Sequence, residues 1–243
     1  MRKGIYSVFT VKEKTFLTPH YIRVKFDMTA EQMEQFRNVQ IGGHNKIFIT
    51  EYIKRTYTTR AIDYDQKELW IDFVAHRDNG PASAWARNAQ RGDTLGIAMK
   101  EGIQTLFPEA KNYLFAGDHT ALPVIGTMLE QLPAGVTVNV ILEVPGKEDE
   151  LPLFSKANLD VQWLHNERPD QDSRLAEKVL AAEPYEENQF VFLAAEYESA
   201  KVIKRHFKEK LNRPRKSYSV VSYWSKGKSE DQSSAIRREE RSQ

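Results

Sequence analysis

Up to about residue 107, apolar and polar positions alternate in short runs. Tyr21-Ile-Arg-Val-Lys-Phe26 alternates, as do Lys46-Ile-Phe-Ile49 and Leu69-Trp-Ile-Asp-Phe-Val-Ala75. A period of two puts one side of an extended chain on a core and the other toward water. Thr94-Leu-Gly-Ile-Ala98 reads as a further strand, and Gly42-Gly43 and Arg91-Gly-Asp93 punctuate as turns. Many short strands of this kind predict a small closed barrel. One helix interrupts them. Pro81-Ala-Ser-Ala-Trp-Ala-Arg-Asn-Ala89 follows Gly80, and proline is favoured in a first helical turn.

After Pro108 the period changes. Tyr113-Leu-Phe-Ala116 is a short apolar run, followed by Gly117-Asp118 and a helical stretch from about Ala121 to Leu132. Val136 to Val144 is almost continuously apolar, as strands buried on both faces are. Val161-Gln-Trp-Leu164, Phe190-Val-Phe-Leu-Ala194 and Ser217-Tyr-Ser-Val-Val221 read as strands, with helical stretches near Ser173–Ala182 and Ser199–Leu211. Alternating strands and helices predict an α/β layer with a parallel sheet. The chain thus divides into an antiparallel β-barrel over 1–107 and an α/β domain over 108–243, with an exposed tail from about residue 225.

Composition narrows the chemistry. The 243 residues carry 35 basic and 34 acidic side chains, so no global field points to nucleic acid or a membrane surface. Cysteine is absent, which removes disulfides, thiolate nucleophiles and Cys-ligated zinc or iron–sulfur centres. Redox chemistry here must come from a bound cofactor. The first ten residues lack the apolar core of a signal peptide, and no run reaches the roughly 18 apolar residues of a membrane span. A cytoplasmic protein without stable membrane association is expected. The six histidines show no metal-ligand spacing, and there is no Gly-x-Ser-x-Gly elbow.

Arg55-Thr-Tyr-Thr-Thr-Arg60 concentrates two cations, a ring and three hydroxyls in six residues. A guanidinium forks onto phosphate oxygens, a ring lies against a planar cofactor, and hydroxyls bond its polar edge. The plainer alternative is an exposed polar strand. A phosphate can rest on amides around Gly80, Ala82 and Ser83, or the same helix simply plugs the barrel with Trp85 in the core. His76 is either a ligand donor or a strand cap. Ala116-Gly-Asp-His-Thr-Ala-Leu-Pro123 stands at a strand end, where α/β sheets bind ligands, or is a tight connection capped by Asp118 or Thr120. Glu196 either bonds a nicotinamide nucleotide or favours a helix start. Trp224 is edge-strand core or a stacked ring. The eight cations of Lys201–Lys216 form a solvated helix face or a funnel for an anionic substrate.

In their order along the chain, several stretches resemble the siderophore-interacting protein family, flavin-dependent ferric-siderophore reductases of the ferredoxin-reductase-like superfamily. They are Lys54-Arg-Thr-Tyr-Thr-Thr-Arg60, Leu69-Trp-Ile-Asp-Phe-Val-Ala-His76, Gly80-Pro-Ala-Ser-Ala-Trp-Ala86, Arg91-Gly-Asp93, Ala116–Pro123, Leu142-Glu-Val144 and Tyr223-Trp224. Two departures are Ala195 before Glu196 and Ser222 before Tyr223-Trp224, where the family often has glycine. The resemblance implies an N-terminal FAD-binding barrel and a C-terminal nucleotide-binding domain for NADH or NADPH. Arg55, Tyr57 and Thr58, with Thr59 beside them as a further candidate, would hold FAD. Asp72, Phe73, His76, Gly80, Ala82 and Ser83 would hold its diphosphate and adenosine side. Asp118, Thr120 and Ala121 would line the nicotinamide nucleotide, and Trp224 would approach the flavin from the other side; Glu196, from its strand end, is a further candidate for the nicotinamide nucleotide. Catalysis would run through the flavin, with no protein acid or base required. Lys46, Arg60, Lys226 and Lys228 are candidates for attracting an anionic ferric siderophore. A monomer is expected. A ferredoxin is an alternative donor, and a flavin reductase serving a protein partner or a non-redox siderophore carrier are alternative roles.

Overall fold

The computed structural model describes residues 4–75, 80–102, 106–168, 171–182, 185, 188–228 and 232. The chain divides into two compact units between Leu106 and Phe107. The first contains β1 (Gly4–Thr18), β2 (Tyr21–Asp27), α1 (Ala30–Gln35), β3 (His44–Phe48), β4 (Lys54–Thr58), β5 (Ala61–Asp63), β6 (Glu68–Val74), α2 (Pro81–Asn88) and β7 (Thr94–Lys100). Its sheet runs β4-β3-β7-β1-β2-β6-β5, antiparallel throughout. The inward positions of the alternating strands, among them Ile22, Val24, Phe26, Ile47, Leu69, Ile71 and Phe73, form one buried core. The aromatic ring of Trp85 in α2 packs on that core, stacked on Phe26 at 6.2 Å and tilted against Phe73 at 5.6 Å.

The alternating strands form the antiparallel, barrel-like sheet that their period predicts, curled as a half-barrel. Among the described residues no ladder joins the edge strands β4 and β5. The sheet is a curled half-barrel whose edges are tied by the two residues between them. The Thr59 amide donates to Gly43 O at 2.9 Å on the β3 side, and the Arg60 amide donates to Trp70 O at 3.0 Å on β6. A second helix, α1, was not expected. It starts on a capping box in which Thr29 Oγ1 accepts from the Gln32 amide and Gln32 Oε1 accepts from the Thr29 amide.

The second unit contains β8 (Asn112–Asp118), α3 (Leu122–Gln131), β9 (Thr137–Val144), β10 (Asn158–His165), α4 (Leu175–Ala181), β11 (Gln189–Glu196), α5 (Tyr197–Arg205) and β12 (Tyr218–Trp224). All strands are parallel, in the order β10-β9-β8-β11-β12. The order reverses between β8 and β11, the place where open α/β sheets bind ligands beyond the strand ends. Leu175 and Val179 of α4 and Ile203 of α5 pack on Leu114, Val191 and Leu193 of the sheet. The helix of α5 continues into a wider turn over His206–Lys210. Apart from residue 232, the tail expected to be exposed beyond residue 228 lies outside the described residues.

Candidate cofactor sites

Strand alternation divides the Arg55–Arg60 segment. On β4, Arg55 stands opposite Ile47 and Tyr57 opposite Asn45, so both lie on the face that carries the core. Tyr57 packs against that core with its ring 4.7 Å from Phe73. Thr56 and Thr58 lie on the other face, where the Thr56 hydroxyl accepts from the ammonium group of Lys46. Thr58 and Thr59 are buried, and Thr59 Oγ1 accepts from Asn45 Nδ2 at 3.1 Å. Arg55 Nη1 donates to Lys54 O at 2.9 Å. The fold therefore brings Arg55 and Tyr57 together and turns the Thr58 side chain away from them.

Asp72 is 2% exposed, and both of its oxygens meet arginines. Arg23 forks onto it, Nε to Oδ1 at 2.7 Å and Nη2 to Oδ2 at 2.8 Å, and Arg60 Nε lies 3.9 Å from Oδ2. A carboxylate engaged in this way orients the cations beside it. Burial, with the adjacent Asp72 charge adding, raises the Tyr21 hydroxyl well above the ordinary tyrosine range. Arg23 and Tyr21 escaped the sequence reading, because the β2–β6 register that pairs Arg23 with Asp72 cannot be read from either strand alone. Phe73 is a core side chain between Tyr57 and Trp85.

The start of α2 is built differently from a self-contained helix end. Gly80 is its N-cap, with no side-chain hydrogen bond among the described residues to close the turn, and Pro81 follows. Ala82 and Ser83 are buried, and among the described residues Ser83 Oγ has no hydrogen-bond partner. A Cβ added at Gly80 would meet none of the described residues within 4 Å. Buried hydroxyls are normally paired, and unpaired helix-start amides favour an anion. This orphaned hydroxyl beside uncapped amides fits a phosphate group, as FAD carries. His76 lies outside the described residues.

At the carboxyl edge of the parallel sheet, the expected nicotinamide residues are engaged mainly with one another. Asp118 ends β8 and is 4% exposed. Its Oδ1 accepts from the Thr120 amide at 2.9 Å and the Thr120 hydroxyl at 2.5 Å. Its Oδ2 accepts from the Glu196 amide at 2.9 Å and from Trp224 Nε1 at 2.7 Å. Gly117 is required by packing: a Cβ there would lie 2.4 Å from Ala121 Cβ and 2.7 Å from Ala194 O. Ala121 is fully buried. Glu196 caps α5 through Oε2, which accepts from the Glu198 amide at 2.6 Å, while Oε1 accepts from the Lys226 amide at 3.2 Å. Glu143, at the end of β9, is buried and accepts from the Arg174 amide at 2.9 Å. Burial, with Asp118 adding, pushes the Tyr223 hydroxyl above the ordinary tyrosine range. Lys226 and Lys228 are exposed, as are most cations of 201–216. Among the described residues no helix is long and apolar enough to cross a membrane.

An antiparallel half-barrel followed by a five-stranded parallel sheet defines a ferredoxin-reductase-like fold. The ferredoxin reductase of carbazole 1,9a-dioxygenase shares that fold, with a TM-score of 0.65 at 15% identity over 90% of this chain and 70% of that one. Residues 50–102 match the siderophore-interacting FAD-binding domain and residues 110–227 the siderophore-interacting protein model, and the chain belongs to the siderophore-interacting protein family. It is 27% identical to the ferric vibriobactin reductase ViuB of Vibrio cholerae, over 90% of this chain and 89% of that protein. The siderophore-interacting protein SipS of Aeromonas hydrophila superposes with a TM-score of 0.85 at 28% identity, covering 98% of each chain.

Proposed function

We propose that this protein is a FAD-dependent ferric-siderophore reductase that draws electrons from NADH or NADPH. The observation that carries the reading is the uncapped start of α2 with the orphaned Ser83 hydroxyl, inside the segment that matches a siderophore-interacting FAD-binding domain. ViuB, similar along most of both chains, is named as a reductase of ferric vibriobactin. When bound, FAD supplies the conversion of a two-electron hydride into the single electrons that Fe(III) accepts. The protein's own residues bind and orient. Ser83 donates to a phosphate oxygen alongside the α2 amides, Arg55 offers a guanidinium fork, and Tyr57 presents a ring held by Phe73. Asp72 holds Arg23 and Arg60 in place. At the parallel sheet, the strand ends of β8 and β11 receive the nicotinamide nucleotide, with Trp224 presenting its ring to a planar cofactor. Lys46, Arg60, Lys226 and Lys228 raise the local concentration of an anionic ferric chelate. Hard oxygen donors hold Fe(III) more tightly than Fe(II), so reduction loosens the metal for release. We place this activity in the cytoplasm, where reduced nicotinamides are available, and in a monomer. The test is to offer the FAD-loaded protein ferric chelates and ferredoxin-type acceptors side by side. Faster turnover with ferric chelates supports the reading, and turnover with protein acceptors alone overturns it.

A further inference from the structure

We propose that Asp118 is the positioning residue for Trp224, fixing the indole so that one set orientation is presented at the carboxyl edge of the parallel sheet. The proposal rests on the reading of Trp224 as a cofactor-facing ring. Two independent features support it. The first is a register shift in β12. Ala195 pairs with Ser222 and Glu196 with Trp224, so Tyr223 is an extra residue, a β-bulge. Bulges re-aim the side chain that follows. The second is the reach of that side chain. In the order β8-β11-β12, Trp224 and Asp118 stand on strands separated by β11, yet Trp224 Nε1 donates to Asp118 Oδ2 at 2.7 Å. The indole therefore lies across the end of β11, whose Glu196 amide donates to the same oxygen.

The choice of aspartate follows from its partners. Four donors converge on the group, two per oxygen: the Thr120 amide and hydroxyl on Oδ1, and the Glu196 amide and Trp224 Nε1 on Oδ2. A carboxylate can accept on both of its oxygens. An asparagine would turn an NH2 group toward one of the two donor pairs. The bond to Trp224 is also charge-assisted, which makes it stronger than a neutral one. The backbone behind the ring is held as well, because Ser222 Oγ donates to Trp224 O at 3.2 Å.

The experiment uses FAD-loaded protein in four forms: wild type, Asp118→Asn, Trp224→Phe and the double variant. Indole 15N NMR follows the Trp224 Nε1–H, assigned by its loss in Trp224→Phe. In wild type this proton should exchange slowly with solvent, and Asp118→Asn should speed its exchange at least about tenfold. Stopped-flow reduction by NADH or NADPH should slow by roughly tenfold in each single variant with FAD content unchanged. The double variant should match Trp224→Phe within about twofold, because Asp118 acts through the ring. Multiplying effects would mean that Asp118 serves as general scaffolding and would overturn the proposal. A wild-type Trp224 N–H that exchanges like a free indole would also overturn it, even where Asp118→Asn does not fold. If Trp224→Phe leaves reduction at the wild-type rate, the cofactor-facing role of Trp224 fails, while the exchange measurement still decides whether Asp118 fixes the ring.

Discussion

Gly117 shows how one residue can look like a ligand cradle and act as packing. Its Cβ position is filled by Ala121 Cβ at 2.4 Å and Ala194 O at 2.7 Å, and the second is backbone that cannot yield. Gly117→Ala should therefore destabilise the protein by about 2–3 kcal/mol, measured as a lower urea midpoint with an unchanged m-value. Glu68 gives a prediction with a pH signature. Burial alone pushes its carboxyl up, but hydrogen bonds from Lys12 at 2.8 Å and Trp70 Nε1 at 2.7 Å, with the Lys25 charge, outweigh it and hold it below 4.5. A depressed folded value contributes stability that is fully present above the unfolded value and is lost as pH falls through the folded one. Glu68→Gln should thus lower the melting temperature at neutral pH, and its gap to wild type should narrow as pH falls below 4.5. A gap that stays constant across that range would contradict the role given to Glu68. The sequence singles out Asp118, Glu196 and Gly117, but it could not distinguish a cofactor contact from the hydrogen bonds and close packing that the strand ends impose.

The elements were legible where one face is clearly apolar. β2, β6 and α2 stand close to where the alternation and the Gly80-Pro81 start put them. β1 was not read because its apolar residues fall on both faces. Phe9 and Val11 are buried, while Tyr6, Val8 and Phe16 are about half exposed, which hides the period of two. α1 is short, six residues, and its Thr29-x-x-Gln32 box is the one sequence signal that could have revealed it. The α2 start offers the clearest element-level test of cofactor binding. An unpaired buried hydroxyl gives the cofactor-free protein nothing to lose, so Ser83→Ala should leave its stability unchanged or raise it by up to about 1 kcal/mol. FAD affinity should fall about fivefold to tenfold if the hydroxyl donates to a phosphate. Thermal melts without FAD and flavin titration by fluorescence quenching separate the two effects. Equal FAD affinity in variant and wild type would remove Ser83 from the site.

For the whole molecule, the change of period after Pro108 carried the architecture, since alternating runs and continuous apolar runs report one-sided and two-sided burial. What stayed hidden was long-range: the open β4–β5 edge, the parallel strand order and the Asp118 hub all depend on pairings between segments far apart in sequence. The near balance of charge also means that attraction of an anionic substrate must be local. Lys46→Ala and Lys226→Ala, made separately, should each lower kcat/KM for an anionic ferric chelate about twofold to tenfold at low salt, and the loss should fade near about 0.5 M salt. Unchanged kcat/KM at low salt would remove these lysines from the substrate surface. The most direct test of the central claim is an anaerobic titration. The protein is loaded with FAD, reduced with NADH or NADPH, and mixed with a ferric siderophore under argon while the flavin spectrum is followed. The account predicts bleaching by the nicotinamide and recovery of the oxidised spectrum on adding the siderophore, with Fe(II) trapped by a ferrous chelator. A protein that acquires no flavin spectrum after incubation with FAD, or a reduced flavin that the ferric siderophore leaves bleached, would contradict it.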